Sequence, residues 1–287
     1  MIILTKIEII MNISYSSIVK KFDKKEKLIK YFFLIAIFAC TACQSGNNET
    51  KKLEQKELLI YCGITMIKPM TEIKEIIEVQ ENCKIVITKG GSGNLLKAII
   101  HNKNGDLFLP GSDAYYTKIE KESPGIIDDT VFVGYNKAAI MIQKDNPLNI
   151  SNDLSNLTDK KYSVVIGNPE SGSIGKETKK ILDRKGIFEQ VENNALKLTT
   201  DSKDLVRVLI ENEADIVINW FATSTWDENK NYIDVLPIEK QFAKKKKLVI
   251  GLLKTSEYPE IAKKFMLFAA SEQGKEIFRK YGLYNVK

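Results

Sequence analysis

The feature that most constrains the fold is a regular alternation of apolar runs and amphipathic stretches that begins at residue 58. Residues 58–62 form a continuous apolar run, as expected of a strand covered on both faces. The next apolar residues recur at helical spacing, namely Met66, Met70, Ile73, Ile76 and Ile77. The same order continues with a predicted strand at 84–88, a helix at 94–101 and a strand at 106–109. Such alternation predicts an α/β fold with a parallel sheet and right-handed crossovers.

A second series of the same kind begins after residue 136. Its predicted strands lie at residues 138–143, 163–166, 215–218 and 248–253. Its predicted helices lie at residues 176–185, 204–212, 258–270 and 273–281. We therefore predict two α/β lobes, with the last segment of the chain returning to the first lobe. The predicted boundaries are 56–134 with 238–287 for lobe 1, and 135–237 for lobe 2.

The N-terminal segment has the pattern of an export signal. A lysine-rich stretch precedes an apolar run at residues 32–39, which ends at small residues and two cysteines, Cys40 and Cys43. The run is shorter than the roughly 20 apolar residues of a membrane-spanning helix. A cysteine just after the cut resembles the bacterial lipoprotein signal. The pattern predicts a signal peptide over residues 1–43 and a lipid on Cys43 that anchors the exported protein to a membrane.

Three alternatives stay open for this segment. Cys40 is the second candidate for lipidation, but bulky Phe38 stands two positions before it, whereas small residues precede Cys43. The apolar run also fits an anchor helix with incidental cysteines. The start of the protein is either Met1 or Met11. Residues 44–55 are polar without apolar periodicity, which predicts a flexible tether between lipid and domain.

Charge and cysteine usage narrow the class of protein. The whole chain carries a formal net charge of +6, most of it from lysines of the leader, so the remaining chain is nearly balanced. A balanced chain lacks the basic footprint of a nucleic-acid binder.

Cys62 ends one predicted strand and Cys83 begins the next parallel one, which places them at opposite ends of the sheet. Because bridged cysteines need Cα atoms within about 7 Å, we predict that both thiols are free.

Short loops rich in glycine and hydroxyl groups follow the predicted strands. They are residues 63–65, 90–93, 110–113, 167–175 and 219–223. All leave the carboxyl ends of strands, where open α/β sheets bind ligands. Each contains a hydroxyl or an amide, and no lysine or arginine lies in them. This pattern suits a small anion held by neutral donors and helix dipoles. The glycines of residues 90–93 match neither the dinucleotide fingerprint nor the P-loop, so a purely structural turn stays the alternative there.

The order of several of these motifs resembles that of the molybdate-binding proteins of ABC importers. The motifs are Thr65, Gly91-Ser92-Gly93, Asp106-Leu107-Phe108, residues 167–170 and the ending at residues 274–282. The resemblance spans residue 58 to the C-terminus. It implies a type II periplasmic binding protein, with two Rossmann-like lobes, a two-strand hinge and no enzymatic activity. It also implies an oxyanion such as molybdate or tungstate as ligand, a membrane permease as partner, a monomeric state, and neither cofactor nor metal.

The resemblance assigns ligand-binding positions residue by residue. They are Thr65, Gly91, Ser92, Gly93, Ser112, Gly172, Ser173, Asn219 and Trp220. Ser112 contributes a backbone N–H in this assignment, as does Gly172 or Ser173 in the other lobe. The molybdate binders have a tyrosine near position 219, where this chain has an amide and an indole N–H as the corresponding donors.

The remaining polar residues favour ordinary structural roles. His101, the single histidine, ends an amphipathic helix and is expected to be solvated. Residues 244–247 form a lysine run at a solvated edge, and Asp113 and Glu170 are expected to cap nearby turns. Two other functions stay open from the sequence. One is a periplasmic sensory partner of a receptor, and the other is an exported hydrolase with Ser92 or Ser173 as nucleophile, although no general base stands nearby.

Overall fold

A computed structural model describes residues 55–283 of the chain. The predicted signal peptide, Cys43 and the tether up to residue 54 lie outside the described residues. The strands are β1 (Glu57–Gly63), β2 (Lys84–Gly90), β3 (Leu107–Leu109), β4 (Ile127–Asn136), β5 (Ala138–Gln143), β6 (Val164–Gly167), β7 (Ala195–Thr199), β8 (Ile216–Trp220), β9 (Ile233–Leu236) and β10 (Lys246–Leu253). The α-helices are α1 (Ile67–Glu81), α2 (Ser92–Asn102), α3 (Ala114–Glu122), α4 (Ser173–Lys185), α5 (Phe188–Asn194), α6 (Ser202–Ile210), α7 (Pro259–Ala270) and α8 (Glu272–Lys280).

The first sheet has the order β2-β1-β3-β10-β4 and, with its flanking helices, forms lobe 1. β1 pairs in parallel with β2 and β3, as predicted, but β10 runs antiparallel between β3 and β4. The predicted parallel pairing thus holds for β1, β2 and β3 but not for β10, and the sheet is mixed. The reason is that β10 arrives from the other lobe through residues 237–245 without a crossover helix. β4 was not predicted, because its first half is acidic and largely exposed.

The second sheet has the order β7-β6-β8-β5-β9 and forms lobe 2. β6 pairs in parallel with β7 and β8, whereas β5 runs antiparallel to β8 and β9. The two outer strands, β7 and β9, were not predicted. β7 exposes most of its residues, so its sequence lacks the apolar run of a buried strand.

Each lobe has its own hydrophobic core. In lobe 1, β1 and β10 pack against α1, α7 and α8 through fully buried side chains such as Ile60, Ile250 and Phe265. Each large apolar side chain removed from water in this way contributes roughly 1.5–3 kcal/mol. Ala222, in the short 3-10 helix Phe221–Thr225 that follows β8, belongs to the core of lobe 1. The lobes are thus joined by packing as well as by the chain.

The chain passes between the lobes at Lys137, which separates β4 from β5, and again through residues 237–245. Cys62 and Cys83 are both buried and unbonded, which confirms the prediction of free thiols. None of the helices between residues 55 and 283 is long and apolar enough to cross a membrane.

Candidate functional site

The loops at the carboxyl ends of both sheets meet around one small cavity between the lobes. Its volume is about 10 Å³, close to the space that one water molecule needs. Lobe 1 lines it with Gly63, Ile64, Thr65, Gly90, Gly91, Ser92 and Gly111. Lobe 2 lines it with Gly172, Ser173, Ile174, Asp201, Ser202 and Trp220. The structure therefore has its lobes closed on each other around this point.

Ser92 is the first residue of α2 and is almost completely buried in the cavity wall. Its hydroxyl oxygen accepts a hydrogen bond from the Gly111 N–H at 3.0 Å. Two of the strand-to-helix loops of lobe 1 are thereby held together. Gly91, the preceding residue, comes close to lobe 2: a Cβ there would lie 2.4 Å from the Ser171 carbonyl oxygen.

Ser173 takes the corresponding position in lobe 2, at the start of α4. Its hydroxyl oxygen accepts a hydrogen bond from the indole N–H of Trp220 at 3.2 Å. Gly111 of lobe 1 faces this hydroxyl so closely that a Cβ at position 111 would lie 2.2 Å from it. The two serines thus stand on either side of Gly111, one in each lobe.

Gly93 takes part in closure rather than in lining the cavity. The N–H groups of Gly93 and Asn94 donate to the Ser171 carbonyl oxygen of lobe 2 at 3.0 and 3.2 Å. The first turn of α2 is thereby bonded directly to the loop that precedes α4. A Cβ at position 93 would lie 2.3 Å from the Glu170 carbonyl oxygen, so only glycine allows this approach.

The structure brings six of the predicted site residues to the cavity wall, and three lie outside it. The six are Thr65, Gly91, Ser92, Gly172, Ser173 and Trp220. Besides Gly93, the residues outside are Ser112 and Asn219. The Ser112 hydroxyl accepts from the Ala114 N–H at 3.3 Å at the start of α3.

Asn219 is fully buried and uses its amide inside lobe 2. Its Nδ2 donates to the Ser202 carbonyl oxygen at 2.9 Å and to Thr223 Oγ1 at 3.3 Å. Its Oδ1 accepts from the Trp220 N–H at 2.8 Å. Asn219 therefore fixes the loop that carries Trp220.

Asn136, the last residue of β4, was missed by the sequence analysis. Its Nδ2 donates to Thr65 Oγ1 at 3.2 Å and to the Gly111 carbonyl oxygen at 3.1 Å. Its Oδ1 is buried and has no hydrogen-bond partner among the described residues. Asn136 thus ties two cavity loops together beside the crossing at Lys137. The one available signal was an amide side chain next to the predicted lobe boundary at residues 134–135.

The start of α6 was also missed, because the helix was predicted to begin at residue 204. Asp201 caps this helix, and its carboxylate accepts from the N–H groups of Lys203 and Asp204 at 2.8 and 3.3 Å. Ser202 follows at the first helical position. Three α-helices, which start at Ser92, Ser173 and Ser202, therefore point their N-termini at the cavity.

The electrostatics of the cavity come from dipoles rather than from cations. No lysine, arginine or histidine is among the residues that line it, and its one charged side chain is Asp201. The N-termini of α2 and α4 carry partial positive charge, which favours anions. The N-terminus of α6 is already capped by the Asp201 carboxylate. Cys62 lies in the core of lobe 1, directly before the cavity residue Gly63, and burial raises the pKa of its thiol, so it stays protonated.

Comparison with known proteins agrees with this architecture. Residues 58–284 match the model of the bacterial extracellular solute-binding protein family. The chain belongs to this family. A putative binding protein of Haemophilus influenzae is 26% identical over 238 residues, which cover 83% of this chain and 95% of that protein.

Two solved structures share the fold of this family member. One is the substrate-binding domain of a putative molybdenum ABC transporter from Clostridium difficile, with a TM-score of 0.59 and 22% identity over 81% of this chain and 100% of that one. The other is a sulfate-binding protein from Mycobacterium tuberculosis, with a TM-score of 0.70 and 13% identity over 81% of this chain and 88% of that one. The fold is the two-lobed type II periplasmic binding fold, as predicted. The family confirms that the protein is an exported solute-binding protein rather than an enzyme.

Proposed function

We propose that this solute-binding protein captures a small oxyanion of the molybdate or tungstate class and delivers it to the permease of an ABC importer. We also propose that a lipid on Cys43 holds it to a membrane. The observation that carries the ligand proposal is the convergence on one cavity of neutral donors and of the N-termini of α2 and α4, one helix from each lobe.

The donors around the cavity suit an anion that carries its charge on oxygen. The Gly111 N–H and the Trp220 indole N–H donate to hydroxyl oxygens, those of Ser92 and Ser173. An oxyanion is a stronger acceptor than a hydroxyl oxygen, so both N–H groups gain by turning to it. The two hydroxyls are then free to donate as well. Each hydrogen bond to a charged group contributes roughly 1.5–3 kcal/mol.

The position of the cavity between the lobes defines the motion that binding requires. Residues of both lobes enclose the cavity, so the lobes have to part to admit a ligand and then close around it. The crossings at Lys137 and at residues 237–245 supply the hinge. Closure joins Gly93 to Ser171 across the lobes, so ligand capture and the interlobe hydrogen bonds form together.

A thermal-shift screen followed by calorimetry tests the proposal. The panel is molybdate, tungstate, sulfate, phosphate, phosphite and arsenate. A ligand at 100 times its dissociation constant stabilises the protein by about 2.7 kcal/mol, which is easily seen as a rise in Tm. We expect the largest rise with molybdate or tungstate. A protein whose Tm is unchanged by all six anions refutes the oxyanion assignment, and a preference for sulfate or phosphate corrects the class.

A further inference from the structure

A second and much larger concavity lies beside the cavity, where α3 of lobe 1 faces α4 of lobe 2. We call it the interlobe groove. Its volume is about 710 Å³, and its walls include five lysines, namely Lys118, Lys121, Lys176, Lys179 and Lys180. Three carboxylates also line it, from Glu122, Glu170 and Asp183.

The groove begins where the cavity ends. The α3 helix starts three residues after Gly111, and α4 starts at Ser173, so both helices that wall the groove leave the cavity itself. Lys176 lies three residues beyond Ser173, less than one helical turn and roughly 5 Å along the axis. An anion that approaches between α3 and α4 therefore meets the lysines before it reaches the serines.

The positive charge of the groove is only partly neutralised. Lys118 pairs with Glu122 at 3.6 Å and Lys179 with Asp183 at 3.2 Å, each within its own helix. Lys121, Lys176 and Lys180 have no salt-bridge partner among the described residues. Against these three ammonium groups stands one carboxylate outside an ion pair, that of Glu170.

Lys176 shows how closely these cations are brought together. Its ammonium group lies over the ring of buried Tyr115, 5.4 Å from the ring centre and across the lobe boundary. Burial, followed by repulsion from Lys118 and Lys180, lowers the pKa of Lys176, although Glu170 opposes this. Cations of both lobes therefore repel one another here, and an anion in the groove relieves that repulsion.

We infer that the interlobe groove is an electrostatic funnel that speeds the arrival of an anionic ligand at the cavity. This inference rests on the proposed function, because it requires the ligand to be an anion. The cavity wall carries neutral donors, which act only at contact distance. Attraction at longer range has to come from full charges, and a charged cleft raises the local concentration of its ligand and hence the association rate. The groove sets the association rate, and the cavity sets the dissociation rate and the choice of ligand.

The size of the effect follows from the charges and their screening. Removing the three ammonium groups of Lys121, Lys176 and Lys180, each roughly 10 Å from a dianion, slows its association about ten- to thirtyfold at 0.01 M salt, where the Debye length is about 30 Å. At 0.15 M salt that length is about 8 Å, so the effect falls to about threefold.

Stopped-flow fluorescence tests the inference, with Trp220 in the cavity wall as reporter and molybdate and tungstate as probes. The test variant is the triple substitution Lys121→Gln, Lys176→Gln and Lys180→Gln. The control triple is Lys56→Gln, Lys160→Gln and Lys254→Gln, three exposed lysines at the opposite edge of the sheets that form no salt bridge with any residue between 55 and 283. Both triples lose the same net charge.

We expect the test variant to bind the probe about ten- to thirtyfold more slowly than wild type at 0.01 M salt, with its dissociation rate changed less than about twofold. The control triple should stay within about twofold of wild type in both rates. An unchanged association rate in the test variant, an equal loss in the control, or a loss confined to the dissociation rate overturns the funnel. A wild-type protein that binds neither probe in calorimetry refutes the proposed function instead, and the funnel with it.

Discussion

The buried ion pair between Glu177 and Lys246 connects the two lobes, and its contribution to the free energy of unfolding can be measured. Glu177 lies in α4, and its carboxylate is 2.8 Å from the Lys246 ammonium at the start of β10. The Glu177 residue is only 3% exposed, so its charge has almost no contact with water. Arg184 is the next cation, at 3.8 Å. The pair therefore connects the helix that carries Ser173 to the strand that returns to lobe 1.

We expect Lys246→Met to lower the free energy of unfolding by about 3 kcal/mol at pH 8. Removing one partner of a buried pair typically costs 3–5 kcal/mol, because an uncompensated charge stays behind. The lower end applies here, since Arg184 remains close to the carboxylate. For a domain of this size, about 3 kcal/mol corresponds to a fall in Tm of roughly 6–12 °C.

The pH dependence of this loss has a definite sign. Burial raises the pKa of Glu177, and Lys246 opposes that rise. Without the ammonium group the folded-state pKa rises further above the unfolded value. A carboxyl group of this kind binds more protons in the folded state, so its cost is complete above the folded pKa and disappears as the pH falls towards the unfolded value. The deficit of Lys246→Met should therefore be smaller at pH 5 than at pH 8.

Urea denaturation at both pH values measures these effects, with the double variant Glu177→Gln/Lys246→Met as the control. The double variant should be more stable than Lys246→Met alone, because it buries a neutral amide rather than a charge. A double variant whose loss equals the sum of the two single losses would show that the pair is not coupled. A deficit independent of pH would refute the buried-charge explanation.

Three further substitutions test the site and the anchor. Ser92→Ala should weaken molybdate binding at least about tenfold in calorimetry, since a hydrogen bond to a charged group contributes roughly 1.5–3 kcal/mol. The control His101→Ala, on the same helix but outside the cavity wall, should leave the affinity unchanged. Equal affinities for wild type and Ser92→Ala would contradict the site. Gly91→Ala should prevent closure of the lobes, because its Cβ would lie 2.4 Å from a backbone oxygen of the other lobe. The decrease in radius of gyration that molybdate is expected to induce in small-angle scattering should then be absent, and a normal decrease would mean that closure does not need this approach. Cys43→Ser should release the protein from membranes in fractionation, whereas release by Cys40→Ser alone would move the lipid to the other cysteine.

The sequence predicts those parts of the molecule that depend on local patterns. Ser92 and Ser173 could be found because each stands beside glycine in a turn between a buried strand and a helix. Trp220 could be found because it closes a buried strand on the side where loops converge. Each of these residues lies at the carboxyl end of a strand, and the apolar run of that strand is enough to predict this position.

Other parts depend on contacts between distant segments, for which the sequence has no local signal. The role of Asn136 arises only when β4 ends beside two loops, 71 and 25 residues away along the chain. The side-chain amide of Asn219 donates to the carbonyl oxygen of Ser202, which lies in the same lobe and 17 residues earlier in the chain. The direction of β10 follows from the path of residues 237–245, which carry no periodic pattern.

The position of β10 has a consequence for the order in which the protein is made. In the first sheet, β4 pairs with β10 alone, and β3 has β10 as its second neighbour. The strands of lobe 2 run without interruption from Ala138 to Leu236, so that lobe can assemble early. Lobe 1 has to wait for Lys246–Leu253, near the end of the chain, and pays the loop-closure entropy of bringing them back. The lobe synthesised first is therefore the last to be completed. In an exported protein this order keeps lobe 1 incompletely folded until nearly the whole chain has been translated.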